Sequence, residues 1–257
     1  MDIYVINLTR APERRAKMES QLIKFGLPFI LLNATDGKSL TAEERDLVDH
    51  ERRKRITPYP LTDNEIGCWI SHRRAMEELL ASGKKMAAIL EDDAELAPQF
   101  RDALAAIEGS DRRFDVIDLH RNFRRGEIFI PVQAFEQGVT LGRVGYTHMN
   151  LTAYVISKEG ARKFLAYAPR FAHAVDKELH RYWANGLDLY GLEKPVARQE
   201  DGGYSYIDET RGQDRPEARP RYPDADRFSY RFARKWTKLG DSLRKRAAFR
   251  KLVRGHS

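Results

Sequence analysis

The chain has 257 residues, 42% of them hydrophobic and 10% aromatic, so it is long enough to bury a core and too apolar for wholesale disorder. Its one cysteine, Cys68, excludes an intrachain disulfide and a Cys-based zinc site. The net charge of +7 is uneven: residues 227–257 hold eleven of the 45 Lys/Arg and one of the 38 acids, which removes most support for nucleic-acid binding by the rest of the chain.

DIYVIN at 2–7 predicts a strand. APERRAKMESQLIKFG predicts a helix, with Pro12 in its first turn, an apolar stripe of Met18, Leu22 and Phe25, and Gly26 at the C-terminal cap. PFILLNA is a second strand, and a β-α-β opening favours a parallel sheet. TAEERDLVDHERRKR, with Thr41 and Glu44 at capping-box spacing, reads as one polar surface helix. Thr62 and Glu65 repeat that spacing before a helix ending at Gly83. Ile66, Trp69, Met76, Leu79 and Leu80 share its core face, and Glu65, Cys68 and His72 lie along one edge of that face.

KKMAAIL is a short buried strand, and DVIDLH at 115–120 is another. A hairpin-rich region covers 126–146. LTAYVIS is a strand, KEGARKFLAYA a helix, HAVDKELHRYWANG a helix closed by Gly186, and LDLYGLE a late strand. Residues 199–226 are polar loop. No apolar run approaches ~20 residues and the first residues do not resemble a signal peptide, so the expectation is a soluble protein of a reducing compartment.

AAILEDDAEL at 87–96 is the most informative stretch, because a buried strand surfaces into Glu91, Asp92 and Asp93. Asp92 or Asp93 could cap a helix running through Phe100, but one Asp suffices for a cap and its neighbours would only add repulsion. A divalent cation removes that repulsion, and ligands of open α/β sheets bind at the carboxyl ends of strands. Oxygen donors point to Mg²⁺ or Mn²⁺.

Four blocks carry a resemblance to a known family: IYVINLTRAPERRAKM at 3–18 leading to NATDG at 33–37, LTDNEIGCWISHRRAMEEL at 61–79, AAILEDDAEL at 87–96, and TAYVISKEGARKFL at 152–165 followed by HAVDKEL at 173–179. With a fainter PVARQEDGGYSYI at 195–207, the chain resembles glycosyltransferase family 25, which includes lipopolysaccharide- and lipooligosaccharide-building transferases and collagen galactosyltransferases. The resemblance implies a GT-A-type, Rossmann-like α/β mixed sheet flanked by helices over residues 1–207. A polar linker at 208–226 and a basic amphipathic helical extension at 227–257 follow. It implies an inverting transfer of a hexose, most simply galactose, from a UDP-sugar to a glycolipid or oligosaccharide acceptor, with Mn²⁺ or Mg²⁺.

In that frame Glu91-Asp92-Asp93 stands for the family's acidic motif. Asp93 is the surest metal ligand, and Glu91 and Asp92 divide the remaining work between metal and ribose. Asp176 is the candidate base, against the alternative of an Asp that merely favours a helix N-terminus. His173 and His180 flank it, as shell members or as surface histidines. Asn7, Arg10, Arg14 and Arg15 face the expected nucleotide crevice, against a solvated helix face for each arginine. Asp36 either binds the nucleoside or forms an Asx-turn. Glu65 and His72 line the pocket or bond each other or a backbone group. Cys68 is most simply a small buried hydrophobe.

The tail places Phe228, Phe232, Trp236, Leu239 and Leu243 within 90° of a helical wheel, with Arg231, Arg234, Lys235, Lys238 and Lys245 on the other side or at its margin. Such a helix suits an anionic membrane surface, or packs on the domain, and the two can coexist. The expectation is a bacterial enzyme on the cytoplasmic face of the inner membrane, with no nucleic acid as partner. The rival readings are another metal-dependent phosphate-ester enzyme and a non-catalytic module that binds anionic surfaces.

Overall fold

The computed structural model describes residues 1–120, 129–145, 150–200 and 220–254. Eight strands form one mixed sheet, in the order β2 (Ile30–Asn33), β1 (Asp2–Asn7), β3 (Met86–Glu91), β8 (Ala153–Ser157), β5 (Val116–Asp118), β9 (Leu189–Leu192), β7 (Thr140–Val144) and β6 (Phe129–Ala134). β1 runs parallel to both β2 and β3, as the opening β-α-β pattern requires. β8 is antiparallel to β3 and to β5, so β3 and β5 point the same way. Asn7, Asn33, Glu91 and Asp118 therefore end their strands on one rim of the sheet.

Strand alternation divides the core. Ile89, Tyr154 and Ile156 pack on one face with Trp69, Met76 and Leu79 of α4 (Asp63–Ala81) and Phe164 of α6 (Lys158–Tyr167). Leu90, Ala153 and Val155 pack on the other with Met18 and Leu22 of α1 (Pro12–Lys24) and Phe100 and Ile107 of α5 (Phe100–Glu108). Trp69 is wholly buried and stacks on Phe171 at 4.3 Å between ring centroids; burying an aliphatic neighbour such as Leu79 contributes roughly 1.5–3 kcal/mol. The expected fold class, a mixed α/β sheet flanked by helices with a C-terminal helix, is the one observed.

Three local expectations change. Residues 41–55 form two short helices, α2 (Ala42–Asp46) and α3 (His50–Lys54), because Val48 between them is drawn into the core and bridges to Phe171. Residues 175–185 likewise split into α7 (Val175–Leu179) and α8 (Tyr182–Asn185), closed by Gly186 at φ 69°. The three acids do not cap a helix. They turn into the short strand β4 (Ala94–Leu96), which pairs antiparallel with β10 (Ala197–Gln199), and α5 starts later, at Phe100.

The NATDG turn sits directly on α4. A Cβ on Gly67 would lie 2.5 Å from the Thr35 carbonyl oxygen, and one on Gly37 would lie 2.4 Å from Asn64, so glycine permits the approach on both sides. Of the expected hairpin region, β6 and β7 pair as foreseen, while 121–128 and 146–149 lie outside the described residues. So does most of the expected linker, 208–219, together with 201–207 of the expected closing segment. The linker's end is docked: Tyr222 hydroxyl meets His50 Nδ1 at 2.9 Å. The chain then enters α9 (Phe228–Arg254). No helix among the described residues is long and apolar enough to cross a membrane.

Candidate active site

At the sheet rim a cleft opens between the NATDG turn, the first half of α4, the end of β3 and the start of α7. Arg10, Arg14, Glu65, His72, Glu91, Asp92, Asp93 and Asp176 all line it. Asn7 and Asp36 stand behind the wall and hold residues that line it. Arg15 lies outside: its side chain is half-exposed and pairs with Glu19 at 2.7 Å. One step along α1 turns a side chain by about 100°, which separates Arg15 from Arg14.

The three acids are held differently. Asp92 accepts from Asn7 Nδ2 at 2.7 Å and from Arg14 Nη1 at 3.1 Å, one on each carboxylate oxygen. Burial raises its pKa, and Arg14 and Asn7 offset part of that. Glu91 Oε1 accepts from His72 Nε2 at 3.1 Å, while His72 Nδ1 meets the Tyr154 hydroxyl at 3.1 Å. Burial opposes the charge on Glu91, but His72, with His120 and Cys68, together outweigh it and keep this carboxyl below its ordinary value. Asp93 is buried and receives Gln199 Nε2 at 3.0 Å on Oδ2, with Arg14 further away at 4.0 Å. Burial and the neighbouring Glu91 charge push its pKa up to about 7.

Asp93 Oδ1 is buried without a hydrogen-bond partner. An ionised oxygen in that setting is costly unless a cation meets it. Asp93 Oδ1 is thus the atom best suited to a hard divalent ion, with Glu91 on the same cleft wall; Asp92 serves first to hold Arg14 and Asn7, and among the described residues the three acids do not gather as one donor group. The cysteine count also hid a mixed donor group: Cys68 Sγ, a His72 ring nitrogen and a Glu91 oxygen lie within 4.8 Å of one another. A soft ion there would have to ionise a thiol pushed well above its ordinary value, first by desolvation and then by Glu91. The same shift argues against Cys68 as a nucleophile.

Glu65 and His72 do not bond each other. Glu65 closes a capping box, its carboxylate accepting from the Thr62 N–H at 2.8 Å, and His72 turns instead to Glu91. Asp36 forms the Asx-type contact, accepting from Lys38 N–H at 3.0 Å, and also accepts from Arg10 Nε at 2.7 Å. Asp176 sits in the first turn of α7, and burial raises its pKa. His180 Nδ1 meets the Asp176 carbonyl oxygen at 2.7 Å and its Nε2 meets Asp118 Oδ2 at 3.3 Å, which fixes the turn that carries Asp176. His173 pairs with Glu178 at 2.7 Å. Neither His173 nor His180 is a surface histidine, and neither lines the cleft.

Sequence reasoning does not single out Tyr154, Asp118, His120 or Gln199. DVIDLH carried a signal for two of them: Asp118 and His120 alternate on one face of a strand, and both are buried near the rim. Gln199 carried none, since β10 brings it to Asp93 across 106 residues.

Residues 1–179 match the family described as glycosyltransferase family 25 (LPS biosynthesis protein). A glycosyltransferase 25 family member of Aedes aegypti is 34% identical over 172 residues, covering 65% of this chain and 28% of its own length. Procollagen galactosyltransferase 2 of Homo sapiens is 28% identical over 176 residues, with shares of 65% and 28%. A Rattus norvegicus protein named probable inactive glycosyltransferase 25 family member 3 is 30% identical over 179 residues, with shares of 65% and 30%. The chain thus spans less than a third of the length of these relatives. Among solved structures it is similar to a glycosyltransferase involved in the glycosylation of the major capsid of PBCV-1, with TM-score 0.32 and 13% identity over 63% of each chain.

Proposed function

The chain belongs to glycosyltransferase family 25, and from that premise we propose a divalent-cation-dependent, inverting transfer of a hexose from a UDP-sugar to a saccharide acceptor. Galactose is the sugar that the family resemblance favours. A lipid-linked saccharide of lipopolysaccharide or lipooligosaccharide type, met at the cytoplasmic face of a bacterial inner membrane, is the acceptor we favour. The observation that carries the reading is the acidic corner, where Glu91 and Asp93 line one cleft and Asp93 Oδ1 is left buried without a hydrogen-bond partner.

Glu91 and Asp93 would hold the cation, which when bound offsets the charge that develops on a departing diphosphate. His72 holds Glu91 in place, and Tyr154 holds His72, so the corner's geometry is set before any ligand arrives. Arg14, steered by Asp92, presents a guanidinium on the cleft wall, suited to a phosphate oxygen. Asp176 faces the same cleft from α7, and its raised pKa makes its carboxylate a stronger base for the acceptor hydroxyl proton.

The test is a donor screen that reads nucleotide release from UDP- and GDP-sugars, with Mn²⁺, Mg²⁺ or chelator and with or without a glycolipid extract. The proposal expects release that needs a UDP-sugar, the cation and the extract together. Release without any acceptor would point to a phosphate-ester hydrolase instead.

A further inference from the structure

Helix α9 is amphipathic twice over. One face is docked on the catalytic domain: Asp241 Oδ1 accepts from Arg181 Nη2 at 2.6 Å and from Trp183 Nε1 at 2.9 Å, and Lys245 Nζ lies 5.2 Å from the Trp183 ring centroid. Ala248 and Leu252 on the same face pack against the main core. At about 100° per residue these positions cluster around one direction of the wheel.

The opposite direction is apolar and bare from Phe228 to Leu243 and continues as the exposed cations Arg246 and Arg250. Phe228 is 81% exposed and Trp236 58%, and Phe232, Leu239 and Leu243 continue the stripe. Phe228, Phe232 and Trp236 touch in sequence, with ring centroids 6.0 and 5.8 Å apart. Of the large hydrophobic side chains exposed among the described residues, only Ile23, Ile30 and Val253 lie outside this stripe. Exposed Arg231, Lys235 and Lys238 run along one flank of the stripe, and exposed Arg244 and Lys251 along the other. The one acid of the helix, Asp241, points to the domain.

We infer that this outward face binds an anionic lipid bilayer surface, with α9 lying in the interface plane while its inner face stays docked. Apolar side chains enter the headgroup boundary and the flanking cations meet lipid phosphates. A second copy of the chain fits the stripe poorly, since a two-fold pairing would set the cationic flanks against each other. Nucleic acid would satisfy the cations but leave the aromatic stripe in water. Docking through Arg181 and Trp183 ties α9 to the α7–α8 segment that carries Asp176, so attachment fixes the cleft's orientation to the bilayer. The inference does not depend on the transferase reading, and its test reads binding, not turnover.

The experiment is co-sedimentation of the full chain with vesicles of phosphatidylglycerol and phosphatidylcholine, and with phosphatidylcholine alone, at low and high salt. Binding is expected to the anionic vesicles only, weakened at least about tenfold by high salt. The double variant Phe232→Ser/Trp236→Ser should weaken it at least about tenfold with an unchanged melting temperature, since both side chains are exposed. Three results would each overturn the inference. One is a chain that stays in the supernatant with either lipid. Another is a dimer in light scattering that the double variant dissolves. The last is tight binding to a duplex oligonucleotide with none to vesicles.

Discussion

Glu178 and Asp93 are both buried acids, and their surroundings are opposite. Glu178 receives Arg52 at 2.8 Å, His173 at 2.7 Å and Arg181 at 3.7 Å, which outweigh its desolvation and hold its pKa down at about 2. Asp93 receives one amide at 3.0 Å, stands beside Glu91 and Asp92, and is pushed up to about 7. The protein completes the first carboxylate from its own side chains and leaves the second incomplete. A saturated ion cluster is structural by construction, whereas an acid held in the interior short of partners has a place for something that arrives from outside.

The largest effect expected from breaking this contrast is on the Glu178 side. Glu178→Gln leaves Arg52, His173 and Arg181 without their common acceptor, and urea denaturation should show a loss of about 3–5 kcal/mol. Asp93→Asn should do the reverse. It should lower turnover about 10²–10³-fold, read as kcat/KM for the donor, yet leave stability at neutral pH without metal unchanged or higher.

The pH dependence separates the two acids further. Glu178 has a folded pKa below its ordinary 4.5, so its stabilisation is present above 4.5 and is lost as the pH falls toward 2. Asp93 has a folded pKa above its ordinary 3.8, so its contribution is present below 3.8 and is lost as the pH rises through about 7. In metal-free protein the Glu178 limb amounts to ~3 kcal/mol and the Asp93 limb to ~4 kcal/mol. Melting curves across pH in chelator should show both limbs, with Asp93→Asn flattening the upper one and Glu178→Gln the lower. The smallest effect expected is that of Tyr154→Phe, which frees His72 to turn and should lower kcat about tenfold with donor KM little changed.

The elements most legible in the sequence were those set by local chemistry. Thr41–Glu44 and Thr62–Glu65 form the capping boxes their spacing implies, and Gly26 and Gly186 stand just past helix ends with positive φ. The acidic corner was legible because a buried strand has one carboxyl end and three acids filled it. What escaped was set by distant partners. Nothing in residues 41–55 shows that Val48 will be pulled onto Phe171 and break a helix. Arg14 and Arg15 look alike until Asp92 takes one and Glu19 the other. That the tail can both pack and stay exposed is legible in its sequence, but which side does which is not: the docked face and the apolar stripe lie on opposite sides of one helix.

The most direct test is a calorimetric titration of UDP into wild type and Asp93→Asn, each with Mn²⁺ and with chelator. Wild type should bind at least about tenfold more tightly with Mn²⁺, and the variant should lose that gain. Equal affinity in wild type with and without the ion, or a full gain retained in Asp93→Asn, would contradict a corner kept open for a cation.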